Sequence, residues 1–189
     1  MPRPIAVPSL AALLLPMALT AAAPPVTVSV KTAGAGREVS PLMAGLSYET
    51  SLMLPDANGV HYFRADNKPL IAVFKTIGVK SLRIGGNSVD APTIPLPCEA
   101  DVTNFFEFAK AAGVKVIYSV RLEESTNSGA LPPSTDTSNA ATAAKVARLI
   151  HERYAEVLDC FAIGNEPNYF KTNNYAPYPP KWKAIHDAI

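Results

Sequence analysis

The segment Gly113-Val114-Lys115-Val116-Ile117-Tyr118-Ser119-Val120 is a near-continuous apolar run that begins at a glycine. Such a run is typical of a strand that is buried on both faces, as in a parallel sheet covered by helices. The tripeptide Gly78-Val79-Lys80 opens a second apolar run 35 positions earlier (113 − 78). One strand and one helix occupy about that length in a chain of repeated strand–helix units. The two segments therefore predict an α/β fold.

Four strands and four helices are predicted outward from this repeat. The strands are expected at Met43–Glu49, Val79–Ile84, Val114–Val120 and Val157–Ile163. Helix caps are predicted at Asp66 or Asn67, with an end at Gly78, and at Asp101, with an end at Gly113. A third helix is expected to direct five side chains toward the core: Ala143, Val146, Ala147, Ile150 and Tyr154. After a proline-containing loop (Pro177, Pro179, Pro180), a fourth is expected to begin near Trp182.

Residues 41–189 are thus interpreted as the first four units of a larger barrel. A (β/α)8 TIM barrel typically needs about 250 residues, so four units correspond to its N-terminal half. An open doubly wound sheet could use the same units, but no glycine-rich phosphate turn follows the first strand. Gly85-Gly86, after the second strand, lacks the full spacing of a dinucleotide motif. Half a barrel is the favoured architecture.

The N-terminus has the layout of a secretory signal peptide over residues 1–23. Met1–Arg3 is positively charged, Ile5–Leu19 is apolar and Ala21–Ala23 provides small residues for cleavage. The apolar stretch is shorter than the roughly 20 residues of a membrane span, so we expect secretion to the extracellular space and no membrane span. In the following segment, 24–40, Val26–Lys31 alternates apolar and polar residues, which predicts a half-buried strand.

Composition argues against several other classes of protein. The formal net charge of +1 gives no general attraction to nucleic acid. The three histidines (His61, His151 and His186) lack ligand spacing, so no metal site is expected. The two cysteines, Cys98 and Cys160, would permit a disulfide. Their predicted positions, in a loop and in the fourth strand, favour two buried thiols.

The fourth predicted strand ends in Gly164-Asn165-Glu166-Pro167-Asn168-Tyr169, which we interpret as a catalytic turn. In barrel enzymes, catalytic groups lie at the carboxyl ends of the strands. Burial and a second carboxylate would raise the pKa of Glu166 so that it could protonate a leaving oxygen. The amide of Asn165 can bind a sugar hydroxyl. The alternative is an ordinary surface turn, because these residue types are common in turns.

Three segments of the chain resemble glycoside hydrolase family 79, the heparanase and β-glucuronidase family of retaining glycosidases. They are Gly45–Glu49, Leu82–Asp90 and Gly164–Asn168, and the resemblance extends from Val26 to the end of the chain. It implies a retaining O-glycosyl hydrolase that cleaves glucuronosyl or related bonds. An arabinofuranosidase or β-xylosidase of the same clan, or a sugar-binding protein without catalysis, remain as alternatives.

The resemblance also implies roles for individual residues. Glu166 would be the acid/base, and Asn165 would bind the hydroxyl next to the anomeric carbon. Glu49 and Asp90 would hydrogen-bond other hydroxyls, with Asn87 nearby. From the residues alone, Glu49 could equally be a solvated carboxylate and Asp90 could cap a turn.

The same resemblance implies no cofactor, a carbohydrate as the partner, and no obligate protein partner for the full-length enzyme. The family's nucleophile is a glutamate on the seventh strand, which this sequence does not contain. We therefore expect an N-terminal fragment that is inactive alone. Val26–Lys31 would be the strand that such enzymes contribute to a C-terminal β-sandwich domain.

Other residues near the predicted strand ends leave alternatives open. Arg83 lies inside a strand and is expected to need a partner, with Glu49 or Glu166 as candidates. Tyr48 and Tyr169 could stack on a sugar or pack within the protein. Glu123-Glu124, after the third strand, is expected to belong to a solvated loop rather than to supply a second catalytic carboxylate.

Overall fold

The structure, a computed structural model, describes residues 26–30, 34, 36–123, 139–169 and 178–189. The chain divides into two compact units, Met1–Arg37 and Glu38–Ile189. The predicted signal peptide, residues 1–23, lies outside the described residues. So do residues 124–138, which include Glu124 of the loop discussed above.

The second unit consists of strands and helices that alternate along the chain. The strands are β1 (Gly45–Glu49), β2 (Ser81–Gly85), β3 (Lys115–Val120) and β4 (Leu158–Ile163), and the helices are α1 (Lys68–Thr76), α2 (Glu99–Ala112), α3 (Asn139–Tyr154) and α4 (Tyr178–His186). All four strands pair in parallel, in the order β1-β2-β3-β4. The predicted α/β fold with four strand–helix units is confirmed.

The core lies between the sheet and its helices. On β2 and β3, alternate residues are fully buried: Leu82, Ile84, Val116, Tyr118 and Val120. They form one cluster with Phe74 of α1, with Phe105, Phe106 and Phe108 of α2, and with Val146 and Ile150 of α3. Residues between them in sequence lie on the opposite face, where Ser47, Arg83 and Ile117 are register neighbours. The sheet thus has one apolar, helix-covered face and one face that is more polar.

Two helices begin as local capping chemistry dictates. At α1, the side chain of Asn67 accepts a hydrogen bond from the Leu70 N–H at 3.4 Å, as predicted, and Pro69 occupies the first turn. At α2, the predicted cap is wrong, because Cys98 is the capping residue and Asp101 lies three positions later. The Asp101 carboxylate reaches back to accept from the Cys98 N–H at 2.7 Å. An acidic residue at the third helical position, which accepts from the N–H of the capping residue, is typical of a capping box. Helix α2 therefore starts at Glu99, before the predicted cap Asp101.

Further expectations also need correction. Helix α4 begins at Tyr178 rather than near Trp182, since Pro179 and Pro180 are tolerated in a first turn, where an N–H has no acceptor within the helix. Residues 26–30 form no strand, because nothing in the described part of the chain pairs with them, and Val26, Val28 and Val30 are exposed.

The two cysteine side chains are less buried than expected. Both are free thiols; Cys98 is half-buried and Cys160 is exposed. Cys160 lies on β4, which is an edge strand of the described sheet. Its predicted role as a buried apolar filler is therefore wrong.

Two kinds of feature are absent from the described part of the chain. No helix there is long and apolar enough to cross a membrane. No three His, Cys, Asp or Glu side chains within those residues are grouped as a metal site would require.

Candidate active site

An open groove of about 560 Å³ lies at the carboxyl ends of β2 and β4. Its lining comprises Asn87, Ala91, Pro92, Asn165, Glu166 and Tyr169. Three of the five site residues predicted from sequence (Asn87, Asn165 and Glu166) thus come together. They converge because parallel neighbours present their carboxyl ends at one edge of the sheet, whatever their separation in sequence. The other two, Glu49 and Asp90, do not line the groove.

Glu166 has an unusual backbone conformation at this groove. Its φ angle is +44°, and it is the one residue besides glycine with positive φ in the described part of the chain. For a side chain with a Cβ this conformation costs about 1–2 kcal/mol. The Tyr169 N–H donates to the Glu166 carbonyl at 3.0 Å and closes the turn. Strain of this kind is concentrated at functional sites.

The Glu166 side chain is exposed, so the burial expected from the sequence is not observed. In the described lining of the groove, Glu166 supplies the one carboxylate. A second acidic group, which the sequence argument also required, would have to come from outside these lining residues.

The side-chain amide of Asn165 is held in one orientation by two neighbours. Arg83 Nη2 donates to Asn165 Oδ1 at 2.9 Å, and Asn165 Nδ2 donates to Asn87 Oδ1 at 3.0 Å. Arg83 Nη1 also donates to Ser47 Oγ at 3.1 Å. The expected hydrogen-bonded partners of Arg83, Glu49 and Glu166, are therefore replaced by a serine and an amide. Arginine has donors alone, which requires the amide oxygen to face it.

Glu49 is engaged by the backbone of the turn that follows β2. Its carboxylate accepts hydrogen bonds from the Ser88 N–H at 2.7 Å and the Asn87 N–H at 3.2 Å. Partial burial acts to raise the pKa of Glu49, but the hydrogen bonds from Ser88 and Asn87 and the charge of Arg83 together hold it below its ordinary value. The Glu49 carboxylate thus caps the first two N–H groups of the 3-10 turn Asn87–Val89, and its predicted contact with a sugar hydroxyl stays a prediction.

Glycine is required beside this carboxylate. Gly86 has φ +65°, and a Cβ at that position would collide with the Glu49 carboxylate. The backbone turns sharply at Gly86, whose positive φ suits glycine.

Asp90 is buried and cannot contact a ligand in this structure. The residue is 1% exposed to solvent. Oδ1 accepts from the N–H groups of Leu122 at 2.7 Å and Glu123 at 3.0 Å, and Oδ2 accepts from the Asn165 N–H at 2.7 Å. This burial does not support the predicted contact with a sugar hydroxyl, which stays a prediction. The alternative, that Asp90 caps a turn, is closer to what is observed.

Arg121 is a residue of this region that the sequence did not single out. It is 5% exposed. Its Nε donates to the Val89 carbonyl at 2.5 Å and its Nη2 to the Ile94 carbonyl at 2.7 Å. Burial lowers the pKa of Arg121, while the charge of Asp90 opposes that change. The available signal was its position directly after the apolar run of β3, where a charged residue needs partners.

The structure also shows the surroundings of Tyr48, Tyr169 and Glu123. Tyr48 packs against Phe63 and Phe74 in the core, with ring centroids 5.2 and 6.3 Å apart, so sugar stacking is not its role. Tyr169 is 75% exposed at the groove and remains able to stack on a ligand. Glu123, expected in a solvated loop, has a side chain that is 16% exposed, with Lys181 at 3.5 Å.

No model of a known protein family matches this chain, and no curated protein matches it either. The chemistry at the strand ends, together with the motif resemblance described above, is therefore what points to a function. Both include the Asn165-Glu166 turn after β4.

Proposed function

We propose that the chain is part of a secreted, retaining O-glycosyl hydrolase of the β-glucuronidase type in glycoside hydrolase family 79, with Glu166 as its acid/base. One observation carries the proposal: a strained Asn165-Glu166 turn at the carboxyl end of β4 faces a groove beside an amide held by Arg83. A carboxylic acid and an oriented amide in one open groove suit a ligand that is rich in hydroxyl groups.

The order of the strands supports a barrel as the complete architecture. In the described sheet each strand pairs with the next one in sequence, and the order never reverses. A doubly wound sheet requires such a reversal, and ligands bind at that point. A (β/α)8 barrel instead continues around in sequence order, with its site at the carboxyl ends of the strands.

In the proposed reaction, Glu166 protonates the leaving oxygen while a second carboxylate attacks the anomeric carbon. Glu166 then takes a proton from the water that hydrolyses the glycosyl-enzyme. The second carboxylate would lie outside the described residues, about 5–5.5 Å from Glu166 in the complete site. The Nδ2 group of Asn165 would donate to the hydroxyl next to the anomeric carbon.

A sugar-binding protein without hydrolysis is the second candidate. It is favoured by the single carboxylate in the described lining of the groove, since glycoside cleavage of this type needs a pair. The exposed ring of Tyr169 and the amides of Asn87 and Asn165 would suffice to hold a sugar.

Glu166→Gln in the full-length protein tests the proposal. On a glucuronide with a poor leaving group, we expect turnover to fall by about 10²–10⁴-fold, the usual contribution of general acid–base catalysis. A nitrophenyl glucuronide needs little protonation, so its first step should be spared. Added azide should then restore turnover, because azide attacks the glycosyl-enzyme without a general base.

The matched control is Glu152→Gln, an exposed glutamate on α3, which should leave all rates unchanged. Undiminished turnover of the poor substrate by Glu166→Gln would exclude the acid/base role. Binding of a glucuronide by the wild-type protein with no product formed would favour the second candidate.

A further inference from the structure

Three loops at the carboxyl end of the sheet meet at one buried carboxylate, that of Asp90. Asp90 itself follows β2, its Oδ1 accepts from Leu122 and Glu123 after β3, and its Oδ2 accepts from Asn165 after β4. The partner in the last bond is 75 positions away in sequence. The residue is 1% exposed, so water does not compete for these bonds.

Arg121 also joins two of these loops by hydrogen bonds, with its side chain as the donor. It follows β3 and donates to the carbonyl groups of Val89, Ala91 and Ile94, all in the loop after β2. Two sets of hydrogen bonds therefore join the loops after β2 and β3. The Asp90 carboxylate accepts from N–H groups of the loop after β3, and the Arg121 guanidinium donates to carbonyl groups of the loop after β2. Because both side chains are buried, this arrangement has little freedom to deform.

The bond to Asn165 lies next to the strained residue. The Asn165 N–H immediately precedes Glu166, whose φ is +44°. On the other side, Gly164 has φ +68°, and a Cβ there would lie 3.0 Å from Asp90 Oδ2. The backbone thus approaches the Asp90 carboxylate closely just where the chain enters the Asn165-Glu166 turn. Strained conformations persist when surrounding contacts over-determine them.

We propose that Asp90 is a positioning residue, whose buried carboxylate holds the Asn165-Glu166 turn so that the Glu166 carboxyl is aimed at the leaving oxygen. The inference rests on the proposed acid/base function of Glu166. It replaces the direct contact between Asp90 and a sugar hydroxyl that the family resemblance implied.

Asp90→Asn is a sharp test because it preserves size and removes one acceptor. If the amide oxygen keeps the Leu122 and Glu123 bonds, then its NH2 group opposes the Asn165 N–H, donor against donor. If the amide is flipped, the conflict moves to Leu122 and Glu123. Since Asp90 joins three loops, either orientation leaves a buried donor unpaired and loosens the turn.

Asp101→Asn is the matched control. Asp101 is also a buried aspartate, 5% exposed, and it also accepts a backbone N–H, that of Cys98 at 2.7 Å. It lies at the start of α2 and has no contact with the Asn165-Glu166 turn among its hydrogen bonds. Asp101→Asn should therefore also cost stability, through its bonds with Cys98 and His61, but it should leave the groove unchanged.

The first readout needs no substrate. In the full chain with ¹³C and ¹⁵N labels, we expect a scalar coupling across the hydrogen bond between the Asn165 amide nitrogen and the Asp90 carboxyl carbon. Hydrogen exchange at the Asn165 amide should accelerate at least tenfold in Asp90→Asn and stay unchanged in Asp101→Asn. If no coupling is present in the wild-type chain, the proposal is wrong, and this holds even if Asp90→Asn fails to fold.

The second readout is the dependence on the leaving group. A misplaced acid costs on the order of a hundredfold, so kcat/KM of Asp90→Asn should fall by about that factor for a poor leaving group and by less than about threefold for a nitrophenyl glucuronide. Equal losses for both substrates, or the same pattern in Asp101→Asn, would reduce Asp90 to a purely structural role. If the wild-type protein hydrolyses neither substrate, then the proposed function fails while the amide readout still decides whether Asp90 holds the turn.

Discussion

The guanidinium of Arg83 and the side-chain amide of Asn165 are joined by a 2.9 Å hydrogen bond across 82 positions of sequence. Because arginine can only donate, Asn165 must turn its oxygen toward Arg83 and its NH2 group toward Asn87. One N–H of that group is used by Asn87 at 3.0 Å. The other can donate to a ligand oxygen in the groove, so the site offers an oriented donor next to the proposed acid.

Arg83→Met should weaken glucuronide binding by about tenfold or more, since it removes a charged donor and lets the Asn165 amide flip. The affinity of the full-length protein for glucuronic acid, measured by calorimetry, provides the test. Ser47→Ala is the control, because it removes the other hydrogen bond of Arg83 and leaves the one to Asn165 intact. Equal losses in the two variants would show that the orientation of Asn165 is not what matters.

Glu49→Gln should destabilise the protein by about 1 kcal/mol at pH 7, as expected when a carboxylate that caps a helical turn is lost. The pKa of Glu49 is below its ordinary value in the folded state, so ionisation favours folding. That stability is present above the unfolded-state pKa, about 4.3, and is lost as pH falls through the lower folded-state pKa.

Urea unfolding of wild type and Glu49→Gln between pH 7 and pH 3 measures this dependence. The gap in unfolding free energy should shrink toward acid pH. Glu152→Gln corrects for the loss of one exposed negative charge. A gap that widens as the pH is lowered would contradict the direction of the Glu49 pKa shift.

Gly164→Ala should cost more stability than Gly59→Ala. Both glycines have positive φ, +68° and +77°, so both substitutions carry a backbone cost of about 1–2 kcal/mol. A Cβ at Gly59 has open space, whereas at Gly164 it would lie 2.7 Å from the Leu122 Cβ and 3.0 Å from Asp90 Oδ2. The difference between the two free energies of unfolding therefore isolates the crowding beside Asp90. Equal losses of unfolding free energy in the two variants would mean that the loop around Gly164 rearranges to accommodate the added Cβ.

Glu166→Gly should be more stable than Glu166→Ala by about 1 kcal/mol, because glycine adopts positive φ without strain and alanine does not. Both variants lack the carboxylate, so their comparison removes its contribution. The control pair is Glu152→Gly and Glu152→Ala on α3, where the order should reverse, with alanine favoured by about 1 kcal/mol. Thermal unfolding of the four variants measures these stability differences. The same order of glycine and alanine stability at both positions would refute strain at Glu166.

Local signals were sufficient for most of the fold. The ends of β1 and β4 coincide with the predicted ends, Glu49 and Ile163, since apolar runs and their flanking residues act within a few positions. The start of α4 differs from the prediction because Pro179 and Pro180 favour a loop in the sequence pattern, although the first turn of a helix accepts prolines. The cap of α2 differs from the prediction because Asp101 acts from the third position of the helix.

The candidate site was only partly accessible from the sequence. Asn87, Asn165 and Glu166 could be predicted together, because each follows a strand of one parallel sheet. The roles of Glu49 and Asp90 could not be told apart, since both are carboxylates near a strand end. Burial separates them: Glu49 caps the turn Asn87–Val89 at the surface, and Asp90 receives three N–H groups in the interior.

The alternation of strands and helices, and the position of the Asn165-Glu166 turn after β4, could be predicted from residue patterns because hydrophobic period and turn chemistry are local properties. The partners of Arg83, Glu49, Asp90 and Arg121 could not, and they are known only from the folded chain. Each of these charged groups binds atoms that are 27 or more positions distant in sequence, from the 27 positions between Arg121 and Ile94 to the 82 positions between Arg83 and Asn165. Which donor meets which acceptor over such separations depends on the register and packing of the whole sheet.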